Sequence, residues 1–175
     1  MRFWIIAAAL AAAGCAAQSA PRTLTCAAER AVYLNRAEPG ARLRVFKPPH
    51  AQSAASDLAA IVDFEGERYW FAFTASQGYS RNYIGRTGDM IEAARREDSG
   101  EDADDEHREP EFDGSEISFF DASYGVIETL PQTGAPAPAH IYASGIGSAI
   151  WYSIPRRSIP IAMWDLAECA PNAQL

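Results

Sequence analysis

Apolar and polar residues alternate over short runs of this chain, which is the pattern of half-buried β-strands. Residues 42–46 alternate basic and apolar side chains and are followed closely by two prolines. Residues 61–64 and 68–74 give the strongest strand signals. The pair Glu65-Gly66 between them is short enough for a tight turn, so we expect a β-hairpin here.

The strand predicted at 68–74 is apolar on both faces. Tyr69, Phe71 and Phe73 share one face, whereas Trp70 and Ala72 share the other. A strand of this kind belongs in the middle of a sheet that is covered on both sides.

The remaining pattern predicts one helix and several further short strands. Asp89 is a suitable N-cap with Glu92 three residues later, so we expect a helix over 90–96. Further strands are predicted over 117–124, 126–130 and 159–166, with Pro160 placing the last of them at a sheet edge. Residues 141–143 and 149–154 are expected to form a second hairpin across 144–147. Many short strands separated by Gly/Pro turns predict a mostly β fold: a single-domain antiparallel β-sandwich or small barrel with at most one short helix.

The first fifteen residues have the order of a secretory signal: Met1 and Arg2, then an apolar run over 3–13, then small residues. The sequence Ala-Gly-Cys that ends at Cys15 resembles the end of a bacterial lipoprotein signal peptide, although Ala12 stands where that class usually has Leu. The resemblance implies cleavage before Cys15 and lipidation of its sulfur. Ordinary signal-peptidase cleavage shortly after Cys15 is the alternative. Residues 16–25 are then a tether, and residues 26–170 form one β-rich domain.

Cysteine positions agree with export. Removal or lipidation of Cys15 leaves Cys26 and Cys169, one near each end of the mature chain. In an oxidising compartment these two thiols are expected to form a disulfide that lays the first and last segments of the domain side by side.

The acidity of the chain is concentrated in one segment. The formal net charge is −8, and residues 97–113 hold ten acidic residues and one arginine, whereas the rest of the chain from Ala16 onward carries 13 of each sign. No basic patch is visible, so nucleic-acid binding is not expected. Blocks of like charge usually stay solvated, but this acidic loop is also able to attract a basic partner.

No catalytic set is recognisable, so no catalytic residue is assigned. The chain lacks a Gly-x-Ser-x-Gly elbow, and its three histidines, His50, His107 and His140, have no zinc-type spacing. We therefore predict no metal site and no cofactor. Paired carboxylates of the glycosidase kind remain an alternative, with four acidic residues near predicted strands as candidates: Asp63, Glu116, Asp121 and Glu128.

The best binding candidate is the segment 77–86, which is expected to be a loop. It combines aromatic, basic and amide side chains that can stack on sugar rings or clamp anions: Tyr79, Arg81, Asn82, Tyr83 and Arg86. The alternative is that the tyrosines pack on the core and the arginines are solvated.

These observations predict an exported, lipid-anchored cell-envelope protein that acts as a non-enzymatic binding or structural module. Lipidation implies the periplasmic face of the bacterial outer membrane; without it the protein is periplasmic or secreted. The general plan of lipid anchor, terminal disulfide and β-domain is similar to that of small periplasmic inhibitor lipoproteins. The expected partners are the membrane, through the anchor, and a basic envelope protein or a glycan. The alternatives are a cell-wall glycan hydrolase and an inhibitor or docking protein for a basic envelope protein.

Overall fold

A computed structural model describes residues 24–51, 53–76, 81–100 and 114–171, in which β-strands predominate. A short 3₁₀ turn, Ala28–Arg30, precedes the first strand. The strands are β1 (Ala31–Asn35), β2 (Arg42–Phe46), β3 (Ala59–Phe64), β4 (Glu67–Ala75), β5 (Asn82–Thr87), β6 (Ser115–Phe120), β7 (Val126–Ile127), β8 (His140–Ala143) and β9 (Met163–Cys169). The two α-helices are α1 (Met90–Ser99) and α2 (Gly145–Trp151).

Eight of the strands close into an antiparallel barrel, which decides between the two predicted architectures. Strands β1 to β6 pair in sequence order, β6 pairs with β8, β8 with β9, and β9 returns to β1. The short strand β7 pairs with the part of β6 that extends beyond β5. Closure leaves none of the eight strands as a free edge, which removes the aggregation hazard of an open sheet.

The first predicted hairpin is confirmed. Strand β3 pairs with β4 across a turn in which Glu65 has φ 49° and Gly66 has φ 82°. The strand predicted over residues 42–46 is also confirmed, as β2. Two successive residues with positive φ match the twist of the flanking strands, and glycine adopts this conformation without steric cost.

The two apolar faces of β4 enter two different cores, as predicted. Tyr69, Phe71 and Phe73 point into the barrel and belong to its main core. Trp70 points outward and packs edge-on against Phe46, with 5.6 Å between ring centroids. Because the first turn of α1 covers this outer cluster, the strand is buried on both sides.

Helix α1 begins at the predicted residue. The Asp89 carboxylate accepts hydrogen bonds from the backbone N–H groups of Ile91 and Glu92 at 2.9 and 3.0 Å, which makes it the N-cap. The helix continues to Ser99, three residues beyond the prediction, and ends at Gly100 with φ 72°.

The second predicted hairpin and the limit of one helix are wrong. Residues 141–143 do form a strand, but residues 145–151 form α2. Its glycines serve close packing and not a turn. A Cβ on Gly147 would lie 2.7 Å from the carbonyl oxygen of Ile159, and one on Gly145 would overlap the side chain of Ser115.

Three further strand predictions differ from the structure in their extent. The last strand starts at Met163 and lies between β1 and β8, so its predicted position at a sheet edge is wrong. Pro160 precedes the strand, and its carbonyl accepts a bond from Asn35. Strand β6 ends at Phe120, since Asp121 closes a turn by accepting from the N–H groups of Ser123 and Gly125. Of the strand predicted at 126–130, only Val126–Ile127 is in a strand. Ala31–Asn35, to which the sequence analysis assigns no strand, forms β1.

Side chains fill the barrel and chain segments cover both of its ends. At one end, Ile146 and Ile150 of α2 enter the main core. At the other, Leu130 enters the same core, and the buried Tyr33 hydroxyl donates to the Pro138 carbonyl at 2.9 Å. The described part of the barrel is therefore a packed core and not a ligand cavity.

Several sequence predictions lie outside the described residues. These are the signal segment 1–15 with Cys15, the tether up to residue 23, His107, and the acidic segment beyond Gly100. Among the described residues, no helix is long and apolar enough to cross a membrane.

Candidate binding surface

The predicted binding segment is half strand. Tyr79 lies outside the described residues, and Arg81 directly precedes β5. Asn82, Tyr83 and Arg86 are strand residues, because β5 pairs with β4 from residue 82 to residue 87. The prediction of a loop is thus wrong for these three. Alternation along the strand places Tyr83 on the face opposite to that of Asn82 and Arg86, and Arg86 lies four residues along the strand from Asn82.

Arg86 faces the barrel and does not join the other predicted binding residues. Its guanidinium carbon lies 5.6 Å from the centre of the Tyr69 ring, and Nη1 donates to the Ala149 carbonyl at 3.4 Å. These contacts attach α2 to the barrel wall, so Arg86 has a packing role.

Arg81 and Asn82 line an open groove of about 300 Å³ on the outside of the barrel. The groove forms where β6 leaves β5 and begins to pair with β7. The Asn82 side-chain amide crosses this junction and donates to the Glu128 carbonyl at 2.9 Å. We call it the β5–β7 groove; its lining residues are Arg81, Asn82, Glu116, Ile117, Ser118, Val126, Ile127 and Glu128.

The structure separates the four candidate carboxylates into two in the groove and two elsewhere. Glu116 and Glu128 both line the β5–β7 groove, and Glu116 forms an ion pair with Arg81. Asp63 lies in another concavity, of about 410 Å³, where it pairs with Arg44 and Arg68 at 2.7 and 3.0 Å. Asp121 holds the β6–β7 turn.

A closed ring of four polar side chains lies on the outer face next to the groove. His140 Nδ1 is 2.7 Å from Asp165 Oδ1, and Asp165 accepts two bonds from Arg36 at 2.8 and 2.9 Å. Arg36 also donates to the Tyr124 hydroxyl at 2.9 Å. Tyr124 completes the ring by stacking on His140, with 4.3 Å between centroids and 2° between planes. We call these four residues the Tyr124 network.

Tyr124 is held in an unusual backbone conformation. Its φ of 62° is uncommon for an aromatic residue, and the hydrogen-bonded β6–β7 turn maintains it. Half of the residue is exposed, so the stack presents a fixed aromatic surface to solvent.

The electrostatics of the network favour the charged form of its aspartate. The guanidinium of Arg36, by hydrogen bonding first of all, and the contact with His140 hold the pKa of Asp165 below its ordinary value, against a smaller opposing effect of burial. The same carboxylate holds Nδ1 of the imidazole. This contact fixes the orientation of the imidazole ring.

The network and the groove share one continuous face. Ser118, which lines the groove, pairs directly with Tyr142 on β8, and Phe120 pairs with His140. Paired residues point to the same side of a sheet, so Tyr142, 40% exposed, lies on the outer face beside Ser118 of the groove and two residues along β8 from His140 of the network.

The other predicted residues have separate positions. His50 lies 3.8 Å from a carboxylate oxygen of Glu97 and 3.9 Å from one of Asp98 near the end of α1. Within the described ranges, no group of three His, Cys, Asp or Glu residues is placed to hold a metal ion. The sulfur atoms of Cys26 and Cys169 lie at bonding distance, with their Cα atoms 6.0 Å apart, as the disulfide prediction requires.

Arg81 and Asn82 were predicted from the sequence, whereas the Tyr124 network was not. Its four members are spread over almost 130 positions, and no local motif connects them. No protein-family model matches the chain, and no curated protein or solved structure is significantly similar to it.

Proposed function

We propose that this chain is an exported envelope protein, anchored through a lipid on Cys15, that acts as a non-enzymatic binding module for a glycan. The observation that carries the proposal is the open β5–β7 groove beside exposed aromatic side chains on a barrel whose interior is filled. A ligand of this barrel would bind on its outer face.

The groove has the side chains that a polyhydroxylated ligand requires. Arg81 and Asn82 provide N–H donors, whereas Glu116 and Glu128 provide carboxylate acceptors. The exposed ring of Tyr142 supplies a flat apolar surface on which a sugar ring can stack. A few convergent polar groups beside an aromatic surface are typical of small-ligand sites.

Titration of the mature protein with soluble peptidoglycan fragments, followed by calorimetry, tests this proposal. Tyr142→Ala and Arg81→Ala are each expected to weaken binding about tenfold, as central aromatic and arginine contacts do. Tyr152→Ala is the matched control, because Tyr152 is 71% exposed but lies beyond α2, away from the groove. Equal affinities for all four proteins, or no heat of binding, would contradict the proposal.

A glycan hydrolase is the second candidate, because Glu116 and Glu128 line the same groove. An acid and a base on either side of a glycosidic bond are the machinery of such enzymes. Chromatography of the same fragments after prolonged incubation separates the two functions. Cleavage that Glu116→Gln and Glu128→Gln both abolish would favour the hydrolase, and intact fragments would favour the binding module.

Export and anchoring require their own test. Mass spectrometry of the protein purified from envelopes is expected to find an N-terminal Cys15 that carries a diacylglycerol group. An unmodified N-terminus beyond Cys15 would contradict anchoring and leave export intact.

Docking of a basic envelope protein, or its inhibition, at residues 97–113 stays a prediction. Pull-down with the intact chain and with that segment replaced by a Gly/Ser linker would test it. The same partners with both forms would mean that the segment does not take part.

A further inference from the structure

The loop that follows α2 exposes an unusual amount of apolar surface. Tyr152 is 71% exposed, Ile154 98% and Ile161 63%, and Trp151 at the end of the helix is 45% exposed. Exposed apolar residues are ordinary when they are scattered singly, but four within eleven positions mark an interaction site. We call residues 151–161 the apolar loop.

The apolar loop is fixed at both ends. Ser153 is buried and bonds back to the carbonyl of Ile150. Ile159 is buried against α2, and the Pro160 carbonyl accepts from Asn35 at 3.2 Å. Between these attachments Ile154 projects from the barrel, almost without protein contact.

The charge of the loop is opposite to that of the chain as a whole. Residues 151–161 contain two arginines and no acidic residue, in a protein of net charge −8. Arg156 lies over the Trp151 ring at 5.7 Å, whereas Arg157 pairs with Glu65. A basic spot beside aromatic and aliphatic side chains matches the interface of a membrane with anionic headgroups.

We infer that the apolar loop inserts into a lipid surface, with Ile154 and Tyr152 entering the headgroup boundary and Arg156 contacting anionic headgroups. A convex tip favours lipid over a protein partner, because protein hot spots lie in closely packed centres whereas lipid needs no shaped pocket. The inference goes beyond the glycan proposal, since the loop lies outside the groove.

Attachment at Cys15 is compatible with this contact. Cys26 lies at the end of β9 opposite the loop, and a seven-residue strand spans about 23 Å. Ten tether residues reach up to about 36 Å, so a lipidated Cys15 and the loop can contact the same membrane. A second membrane contact increases the membrane affinity that an acyl anchor provides.

Vesicle binding by the chain from Ala16 onward, which contains every described residue and no acyl group, tests the inference. The vesicles contain equal parts of phosphatidylethanolamine and phosphatidylglycerol. Trp151 is the reporter, because Trp70 and Trp164 are 6% and 1% exposed. Binding is expected to shift its emission to shorter wavelength and to make it sensitive to quenching by brominated lipid.

The variants separate insertion from simple adsorption. Ile154→Ser is expected to weaken vesicle binding about tenfold or more, because it removes the fully exposed apolar side chain. Leu24→Ser is the matched control, since Leu24 is 42% exposed and lies two residues before Cys26, at the end of the barrel opposite the loop, and it should bind like the unaltered protein. Arg156→Gln should weaken binding to the anionic vesicles only, not to pure phosphatidylcholine.

Three outcomes would overturn the inference: no binding to either vesicle, binding that Ile154→Ser leaves unchanged, or self-association in sedimentation experiments that Ile154→Ser abolishes without any vesicle binding. The last would assign the loop to a contact between copies of the chain. None of these outcomes bears on glycan binding, which is measured without lipid.

Discussion

Three buried side chains in this barrel donate hydrogen bonds to backbone carbonyl groups that are distant in sequence. Asn35, 1% exposed, accepts from the N–H groups of Ala37 and Glu38 and donates to Pro160. The Ser56 hydroxyl donates to Pro131, and the Tyr33 hydroxyl donates to Pro138. The bonds from Asn35 and Tyr33 connect strand β1 to the segments that cover the two ends of the barrel, whereas the bond from Ser56 connects two segments outside the strands.

Tyr33→Phe tests this coupling at one atom. The variant leaves the Pro138 carbonyl without its donor, so the free energy of unfolding at pH 7 is expected to fall by about 1–2 kcal/mol. Urea unfolding measures it. Tyr152→Phe, which changes an exposed tyrosine, is the control and should leave the midpoint unchanged.

The contribution of Tyr33 to stability also depends on pH. Burial raises the pKa of Tyr33 far above its ordinary value, so above about pH 10 the unfolded chain loses a proton that the folded chain keeps. Stability then falls with pH, at about 1.4 kcal/mol per unit from this residue. The difference in free energy of unfolding between the unaltered protein and Tyr33→Phe is therefore expected to shrink above pH 10. A difference that stays constant would contradict burial of the hydroxyl.

The contribution of Asp165 to the free energy of unfolding is expected to have the opposite pH dependence. Because Arg36 and His140 lower its folded pKa, its contribution is fully present above the unfolded pKa of about 3.9 and is lost as the pH falls through the folded value. Asp165→Asn is expected to cost about 0.5–1 kcal/mol at pH 7, since the network is partly exposed, and this cost should shrink as the pH falls through the folded pKa of Asp165.

A double-mutant cycle with Arg36→Gln, measured by urea unfolding at pH 7, isolates the contact. The double variant should lose less than the two single losses added together, because each single change already breaks the pair. Additive losses would mean that Arg36 and Asp165 act independently.

At the scale of elements, the sequence predicted strands correctly where the residues on both faces follow the apolar and polar pattern of a strand. β2, β3 and β4 combine alternation with β-branched or aromatic residues, and the structure places them almost at the predicted residues. Helix α1 was recognisable from Asp89, because a cap is a local signal.

The pattern failed where an inward position carries a polar residue or glycine. In β5, the inward position 86 carries an arginine, which contacts Tyr69 and the end of α2. A polar residue at an inward position breaks the strand pattern, so the sequence predicts a polar loop here. Helix α2 contains two glycines in seven residues, which indicate a turn unless the close contacts with Ser115 and Ile159 are known. The candidate site had the same limitation, because the Tyr124 network is assembled by barrel closure.

Gly147→Ala tests why α2 contains glycine. Alanine favours helix formation by itself, but its Cβ would meet the Ile159 carbonyl oxygen at 2.7 Å, so α2 or the end of the apolar loop must shift. We expect a net loss of about 1–3 kcal/mol in thermal or urea unfolding. Gly88→Ala is the control, because a Cβ there meets nothing within 4 Å. Equal stability of the two variants would mean that the contact relaxes without cost.

At the scale of the whole molecule, two strand pairings that complete the barrel, which we call seams, differ in their number of paired residues. The β5–β6 seam has two residue pairs, whereas β1 and β9, the first and last strands, share five. The stronger seam joins the two ends of the domain, and the cysteine pair lies at its end, where Ala31 is opposite Cys169. Side-by-side terminal segments were predicted from the cysteines alone, whereas the strand order needed the fold.

Replacing Cys26 and Cys169 together by serine is the last prediction. A bridge between residues 143 positions apart restricts mainly the unfolded chain, and the chain-entropy model sets its contribution at up to about 5 kcal/mol. The paired strands β1 and β9 do not depend on the sulfur atoms, so the far-ultraviolet circular dichroism should stay unchanged while the urea midpoint falls. Unaltered protein treated with a reductant should unfold at the same midpoint as the double variant. Peptide mapping without reductant checks the premise, because two alkylatable thiols in protein purified from the periplasm would show that the bridge does not form there.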